Sequence, residues 1–217
     1  ILLLSNPRSE EYEIYRENGL VIKDVVENEN KDTFRQLVFL DNPNEVQSEV
    51  KLILTSKNKI KSDSNYIALP TIDKYHQKNL RSCLDDDFVC SYYIKCILSG
   101  VFFNKIDISK ENANVLVLGA GIGTVNHFIN KLFNGKANFT SVEISKNVVE
   151  LGSKYFGFKN DSPNNTWIYS DANAYVKKEA QSGVSNKYDM VVIDINNIDG
   201  KDGISPPPIF FDTETLN

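Results

Sequence analysis

Three glycines and a distant glutamate form the pattern in this chain that is most suited to binding a ligand. A loop with Gly119, Gly121 and Gly123 follows the apolar residues 115–118, and Glu143 ends a second apolar run twenty residues after Gly123. Glycines allow a backbone to turn sharply and to approach a ligand closely. A carboxylate at the end of the next strand can hold both hydroxyls of a ribose. The order of strand, glycine loop, helix and carboxylate therefore predicts a nucleoside site.

The spacing of the glycines narrows the class of ligand. Loops that bind dinucleotides follow the pattern G-x-G-x-x-G, whereas this loop reads G-x-G-x-G and continues with Thr124. That spacing resembles the cofactor loop of S-adenosylmethionine-dependent methyltransferases. The resemblance implies a cofactor site that is formed by Gly119, Ala120, Gly121, Gly123, Glu143, Ile144, Asp171, Ala172 and Asp194.

Two aspartates follow further apolar runs. Asp171 comes directly after the run 166–169 and Ser170, where methyltransferases of this type place an acidic residue near the adenine. Asp194 ends the run 188–194. Open α/β sheets bind ligands at the carboxyl ends of their strands, so we predict that Asp194 is the catalytic residue. The alternative interpretation of Asp194 is a helix or loop cap.

The second half of the chain alternates between strand and helix patterns. An apolar stripe predicts a helix that ends near Gly135, Ser145 is placed to cap a second helix, and residues 173–181 predict a third. Strands joined by such helices predict a Rossmann-like α/β fold with a doubly wound, mostly parallel sheet. Only about four of the seven strands of a class I methyltransferase can be counted, so we expect its C-terminal strands to be missing.

The first part of the chain has the alternating pattern of antiparallel strands. Residues 10–55 alternate, Asn18-Gly19 is a hairpin signal, and residues 41–44 predict a second turn. Residues 57–65 predict a polar loop. Residues 86–100 predict a helix with three aspartates at its start, Gly100 at its end and a buried stripe that contains Phe88, Tyr92 and Tyr93. We therefore expect a small antiparallel β region over residues 1–70 and a cofactor-binding domain over residues 71–217.

Composition limits the classes of partner. The 217 residues carry a net charge of −5 with a pI of about 5.2, which argues against a nucleic-acid partner because that requires clustered basic residues. No apolar run approaches the roughly 20 residues of a membrane helix, so we expect no membrane partner. The three cysteines lack zinc-site spacing and favour a reducing compartment, so we expect a cytoplasmic protein without a metal. A homodimer is left open.

The chain from residue 35 onward resembles the methyltransferase-like protein 13 family, in its C-terminal domain, within the spermidine synthase-like superfamily of class I methyltransferases. The resemblance implies methyl transfer from S-adenosylmethionine to a protein amine, either a lysine or an N-terminal amine. It also suggests elongation factor 1-alpha as the protein substrate, with Asp194 holding the amine. The matching segments are residues 35–49, 88–100, 115–124, 142–143, 155–158 and 188–210.

The sequence leaves two alternative functions open. A polyamine aminopropyltransferase usually has an aspartate in its glycine loop and a second aspartate three residues after the one that ends the fourth strand. This chain has neither, because the loop reads Gly-Ala-Gly-Ile-Gly and Asn197 stands three residues after Asp194. The other alternative is a catalytically silent member that uses the fold as a binding module.

Overall fold

The computed structural model describes residues 9–27, 29–62, 67–103, 112–183, 187–196 and 205–211. Two compact units divide the chain. The first comprises Ile1–Ile94 and Lys154–Gly157, and the second comprises Lys95–Ser153 and Phe158–Asn217. The first unit is therefore discontinuous in sequence. The domain boundary at residue 70 stays a prediction.

The first unit contains a five-stranded antiparallel sheet in which each strand pairs with the next one along the chain. The hairpin at Asn18-Gly19 is confirmed, since both residues have the positive φ angles, 51° and 78°, of a tight turn. The second turn lies at Leu40-Asp41, and the following strand already begins at Asn42. The strands are β1 (Glu10–Glu17), β2 (Leu20–Val26), β3 (Thr33–Phe39), β4 (Asn42–Ser56) and β5 (Leu80–Leu84).

A fully buried arginine organises the interior of this first unit. The Arg35 side chain on β3 donates from Nε to Asp24 Oδ1 at 2.8 Å and from Nη2 to Oδ2 at 3.1 Å. It also donates to the carbonyl oxygens of Tyr155 and Pro70 at 2.8 and 2.7 Å. Burial raises the pKa of Asp24, and the neighbouring guanidinium opposes that rise. Arg35 thus joins two strands to two segments that lie outside the sheet.

The expectation of a polar loop over residues 57–65 is wrong for the part of that range that the structure describes. Residues 57–62 form the short helix α1 (Lys57–Ser62) rather than a loop, and Ser56 Oγ accepts a hydrogen bond from Lys59 N at 3.4 Å at its start. Residues 63–65 of the predicted loop lie outside the described residues. A further short helix, α2 (Asp73–Gln77), precedes β5. Serine is a favoured N-cap residue, so Ser56 was the available signal.

Helix α3 (Tyr92–Phe103) begins later than the predicted helix over residues 86–100. Ser91 Oγ accepts from Ile94 N at 3.5 Å at the helix start, whereas Asp85, Asp86 and Asp87 precede it in non-helical backbone. Gly100 lies inside the helix and does not end it. The predicted buried stripe is also wrong, because Phe88, Tyr92 and Tyr93 are exposed, while Ile94 and Val101 are buried.

The second unit contains a four-stranded parallel sheet in the order β8-β7-β6-β9. The strands are β6 (Asn114–Leu118), β7 (Asn138–Glu143), β8 (Asn165–Tyr169) and β9 (Met190–Ile193). The helices that alternate with them are α4 (Thr124–Leu132), α5 (Lys146–Leu151) and α6 (Ala172–Gln181). Strand order reverses between β6 and β9, which is where such sheets form a crevice for ligands. The predicted alternation of parallel strands and helices is confirmed.

The interior of the second unit follows the predicted apolar pattern. The strand residues Val115 and Val117 are fully buried, as are Ile129 on α4 and Phe133 directly after that helix. That helix is followed by Gly135 at a positive φ of 80°. Ser145 caps α5, because its Oγ accepts a hydrogen bond from Val148 N. The sequence thus defines the elements that carry the glycine loop and Glu143.

Candidate active site

The glycine loop leaves the carboxyl end of β6 and is held against its neighbours by backbone contacts. The N–H groups of Gly119 and Ala120 both donate to the carbonyl oxygen of Val142 on β7, at 2.9 and 3.0 Å. A Cβ atom on Gly119 would lie 2.1 Å from the carbonyl oxygen of Asp194. A Cβ atom on Gly123 would lie 2.4 Å from Asn160 Oδ1. Glycine is required at these two positions by the packing of the protein itself.

Gly121 differs from the other two glycines because its Cα faces open space. Among the described residues, no heavy atom outside Gly121 and its two chain neighbours lies within 4 Å of the position that a Cβ would take, although φ is +54°. The Gly121 N–H donates to Glu143 Oε2 at 2.9 Å. The loop is therefore open to a ligand at Gly121, next to the carboxylate that the sequence assigned to a ribose.

Substituting Gly121 with alanine separates backbone strain from ligand contact. We expect the free energy of unfolding to fall by about 1–2 kcal/mol, because an alanine at positive φ is strained. We also expect weaker binding of S-adenosylmethionine, since the methyl group projects into the open side of the loop. Gly135→Ala is the matched control, because Gly135 has a positive φ of 80° and open space around its Cα. Equal cofactor affinity of the two variants in calorimetry would contradict the assignment.

Glu143 is half-buried and is fixed by two backbone hydrogen bonds. Its Oε2 accepts from Gly121 N and its Oε1 accepts from Ser145 N, both at 2.9 Å. Each carboxylate oxygen keeps a further lone pair for another donor. The next side chain, Ile144, is 72% exposed. The structure thus presents a fixed acceptor beside an exposed apolar side chain, which suits the ribose and the base of a nucleoside. Sequence reasoning identified Ser145 as a helix cap but missed its second contact, with Glu143.

The structure gives Asp171 a role that the sequence analysis missed. The Asp171 side chain caps α6, because its Oδ1 accepts a hydrogen bond from Ala174 N at 2.8 Å. The residue is exposed. Aspartate directly before a helix is a frequent N-cap, so the signal was available. Ala172 is half-buried and packs against a cluster that includes Leu118 and Phe210. The adenine contact assigned to Asp171 and Ala172 stays a prediction.

Asp194 lies next to the glycine loop, directly after β9. Its N–H donates to the carbonyl oxygen of Leu118 at 2.8 Å, and its own carbonyl oxygen faces Gly119. The residue is half-buried. Backbone contacts therefore bring the predicted catalytic residue to the end of β6, where the predicted cofactor loop begins.

The segment after Asp194 is anchored by an aromatic residue that the sequence analysis did not single out. Phe210, in a 3-10 turn (Pro208–Phe211), is buried against Leu116, Leu118, Val142 and Tyr175. The Ser205-Pro206 peptide bond is cis. Residues 197–204, between Asp194 and this turn, lie outside the described residues. The turn around Phe210 therefore packs on the same sheet that carries Asp194.

Two further properties concern the whole described part of the chain. Among these residues, no helix is both long and apolar enough to cross a membrane. The same residues contain no group of three or more His, Cys, Asp or Glu side chains that could hold a metal ion. Cys83, Cys90 and Cys96 form no disulfide.

Comparison with known proteins places this site in context. No family model matches the chain. Curated proteins from Xenopus laevis and Homo sapiens named "eEF1A lysine and N-terminal methyltransferase" are 29% and 28% identical over 89% and 90% of this chain. A homolog from Drosophila melanogaster is 28% identical over 84% of the chain. The chain spans only 24–29% of the length of these relatives.

Two solved structures are similar to the described fold. Human methyltransferase-like protein 13 in complex with SAH is 26% identical, with a TM-score of 0.51 over 58% of each chain. A probable spermidine synthase from Corynebacterium glutamicum has 15% identity and a TM-score of 0.57, and the match covers 97% of this chain and 58% of the other. These likenesses confirm the predicted spermidine synthase-like class I methyltransferase fold. The predicted resemblance to the methyltransferase-like protein 13 family is also confirmed.

Proposed function

We propose that this chain transfers a methyl group from S-adenosylmethionine to a protein amine, either a lysine side chain or an N-terminal α-amine. The observation that carries the proposal is the carboxylate of Glu143, fixed by Gly121 N and Ser145 N at the open side of the glycine loop. The relatives support the choice of amine, since their name gives both kinds of amine and eEF1A as the substrate. Elongation factor 1-alpha is accordingly the proposed protein partner.

The residues of the site fit the nucleoside part of the cofactor. The two ribose hydroxyls are donors, and Glu143 is an acceptor whose position is already set by the backbone. Ile144 is 72% exposed, so its apolar side chain is available to an adenine ring. The backbone of Gly119, Ala120, Gly121 and Gly123 would face the methionine part, with Asp171 and Ala172 near the base. When bound, S-adenosylmethionine supplies a methyl group that is already activated on a sulfonium.

The remaining task of the protein is to present a neutral, correctly aimed amine. Positioning of two reactants contributes up to about 7–11 kcal/mol in ideal cases. A free lysine has a pKa of about 10.4 and an α-amine a pKa of about 7.7–8.0, so a lysine requires more desolvation to become neutral. A carboxylate that bonds an ammonium raises its pKa. We therefore assign Asp194 to orienting the amine, not to removing its proton.

Asp194→Asn tests this role while preserving the shape of the side chain. We expect turnover to fall by at least about tenfold, a loss of about 1.4 kcal/mol in transition-state stabilisation. Cofactor affinity should stay near its original value. The measurement is transfer of radiolabel from S-adenosylmethionine to elongation factor 1-alpha. Asp189→Asn is the control, because Asp189 lies before the opposite end of β9 and accepts a hydrogen bond from Asn114 N. Equal turnover of both variants would exclude Asp194 from the reaction.

An aminopropyltransferase is the second candidate, because the fold is similar to that of a probable spermidine synthase. Cofactor choice separates the two functions. We expect the chain to bind S-adenosylmethionine more tightly than its decarboxylated form, and to label a protein but not putrescine. Product formed from putrescine and decarboxylated cofactor, without a labelled protein, would favour the second candidate. Failure to bind either cofactor would favour a silent binding module.

We also propose a cytoplasmic location for this activity. Three cysteines that form no disulfide suit a reducing compartment. The proposed substrate is a translation factor, so enzyme and substrate would share that compartment. Cell fractionation with an antibody to the chain is the measurement, and enrichment in a secretory fraction would contradict the proposal.

A further inference from the structure

One buried asparagine that was absent from the predicted site makes several contacts with the glycine loop. Asn160 has a relative exposure of 7%, and its Nδ2 donates to the carbonyl oxygens of Ile122 and Val149, at 3.0 and 2.9 Å. Both donors of the amide group are therefore used. One of these bonds reaches the loop itself, since Ile122 stands between Gly121 and Gly123.

Two residues approach the carbonyl group of Ile122 closely, namely Asn160 and Gly152. A Cβ atom on Gly152 would lie 2.0 Å from Ile122 O and 2.8 Å from Asn160 Nδ2. On the other side, Asn160 Oδ1 occupies the space in which a Cβ atom on Gly123 would stand. The two glycines leave just enough room for the amide to reach the loop. The contact thus depends on small residues at both positions.

Asn160 is itself held in place by the sheet. The indole Nε1 of Trp167 on β8 donates to the carbonyl oxygen of Asn160 at 2.7 Å. On its other side the asparagine bonds Val149 in α5, close to the point where that helix continues as a π-helical turn (Gly152–Phe156). Asn160 therefore links a strand, a helix and the glycine loop.

We propose that Asn160 is a positioning residue for the cofactor and sets the geometry of the glycine loop before the cofactor binds. By fixing the carbonyl group of Ile122, it restricts the rotation of the adjoining peptide groups. The N–H of Gly121 then points to Glu143, and both groups face the ligand in a fixed arrangement. A loop that is fixed in advance loses less conformational entropy when it binds. This inference rests on the proposed binding of S-adenosylmethionine.

The test measures Kd and the number of sites per chain by calorimetry, with S-adenosylmethionine and the full chain. We expect Asn160→Ala and the isosteric Asn160→Asp to raise Kd by roughly tenfold, since each removes both hydrogen bonds to the loop and to α5. A residue with a purely structural role would lower the number of binding-competent chains and leave Kd unchanged. Unfolding of the variants that keep Trp167, the one tryptophan in the chain, can be followed through its fluorescence.

Two further variants complete the experiment. Asn126→Ala is the matched control, because Asn126 is equally buried at 5% exposure but donates to Ser141 Oγ on β7 and not to the loop. Its Kd should stay at the wild-type value although stability falls. Trp167→Phe leaves the amide of Asn160 intact and should raise Kd by a smaller factor, about threefold, because it removes one hydrogen bond that holds Asn160.

The outcomes separate this inference from the proposed function. If the wild-type chain binds the cofactor and both Asn160 variants and Trp167→Phe bind it with the same Kd, the positioning role is wrong and the proposed function stands. If the wild-type chain does not bind S-adenosylmethionine, both are wrong. If Asn126→Ala raises Kd as much as Asn160→Ala, general destabilisation explains the effect and the inference is overturned.

Discussion

Replacing Glu143 with alanine is expected to weaken S-adenosylmethionine binding by about 1.5–3 kcal/mol, or roughly 10- to 150-fold in Kd. The physical reason is the loss of the charged acceptor for the ribose hydroxyls. The same change removes the acceptor of Gly121 N and Ser145 N. Both N–H groups lie at the site. The glycine loop therefore also loses the hydrogen bond from Gly121 N that holds its open side. The measurement is a calorimetric titration of the folded variant.

Two companion variants make this result specific. Glu143→Gln keeps the length of the side chain but turns one acceptor into a donor that faces a backbone N–H group, so we expect a loss of affinity in this variant as well. Glu150→Ala removes the same charge from an exposed position on α5, where Glu150 contacts Lys146 at 3.5 Å. That variant should bind like the wild type. Unchanged affinity in folded Glu143→Ala would remove the observation on which the proposed function rests.

Replacing Arg35 with methionine is expected to lower the free energy of unfolding by about 3–5 kcal/mol, because breaking a buried ion pair leaves an uncompensated charge. Asp24 is fully buried and would lose the guanidinium with which it forms its ion pair. The carbonyl groups of Tyr155 and Pro70 would lose a donor in the same variant. Chemical denaturation of the variant and the wild type gives the difference directly.

The pH dependence of this variant provides an independent check. In the wild type, burial raises the pKa of Asp24 and the Arg35 guanidinium lowers it. Without the guanidinium the effect of burial is unopposed, so the pKa of Asp24 rises further. A carboxyl group with a raised pKa in the folded state contributes stability below its unfolded pKa of about 3.9. That contribution is lost as the pH rises through the folded pKa. The variant should therefore lose stability relative to the wild type as the pH rises above about 4 and through the raised pKa of Asp24.

A double variant distinguishes the charge from the other contacts of Arg35. Adding Asp24→Leu to Arg35→Met removes the unpaired carboxylate and should recover part of the loss, since apolar replacement of a buried pair is often neutral. The pH dependence should disappear with it. The hydrogen bonds to Tyr155 and Pro70 remain absent, so recovery should be incomplete. A double variant as unstable as Arg35→Met would show that these bonds dominate.

The features that could be predicted from the sequence are those set by neighbouring residues. A continuous apolar run predicted β6, and periodic apolar residues predicted α4 and the alternation that follows, because both are patterns of neighbouring residues. The glycine loop and Glu143 were predicted together, since their distance along the chain follows from one strand-helix-strand unit. The Asn18-Gly19 turn was predicted because only a few residue pairs adopt its positive φ angles.

Other features depend on contacts that no local pattern reveals. Phe88 and Tyr92 have the spacing of a buried stripe, yet the helix starts at the residue after Ser91 and turns its apolar face elsewhere. Asn160 lies 38 residues from Ile122 and has no motif around it. The reasons for Gly119 and Gly123 are likewise tertiary, because their nearest neighbours are Asp194 and Asn160. Of the three glycines in the loop, only Gly121 has open space beside its Cα, which the motif suggests for all three.

The hydrogen bond from Arg35 to the carbonyl oxygen of Tyr155 links the final folding of the first unit to how much of the chain has been synthesised. All five strands of that unit end by Leu84, but the carbonyl group that accepts from Arg35 Nη1 follows 120 residues after the arginine. A buried N–H group without an acceptor costs about 1–3 kcal/mol. The sheet therefore reaches its final stability only after the ribosome has added Tyr155. We expect the N-terminal unit to finish folding only after the Lys95–Ser153 segment of the second unit has been made.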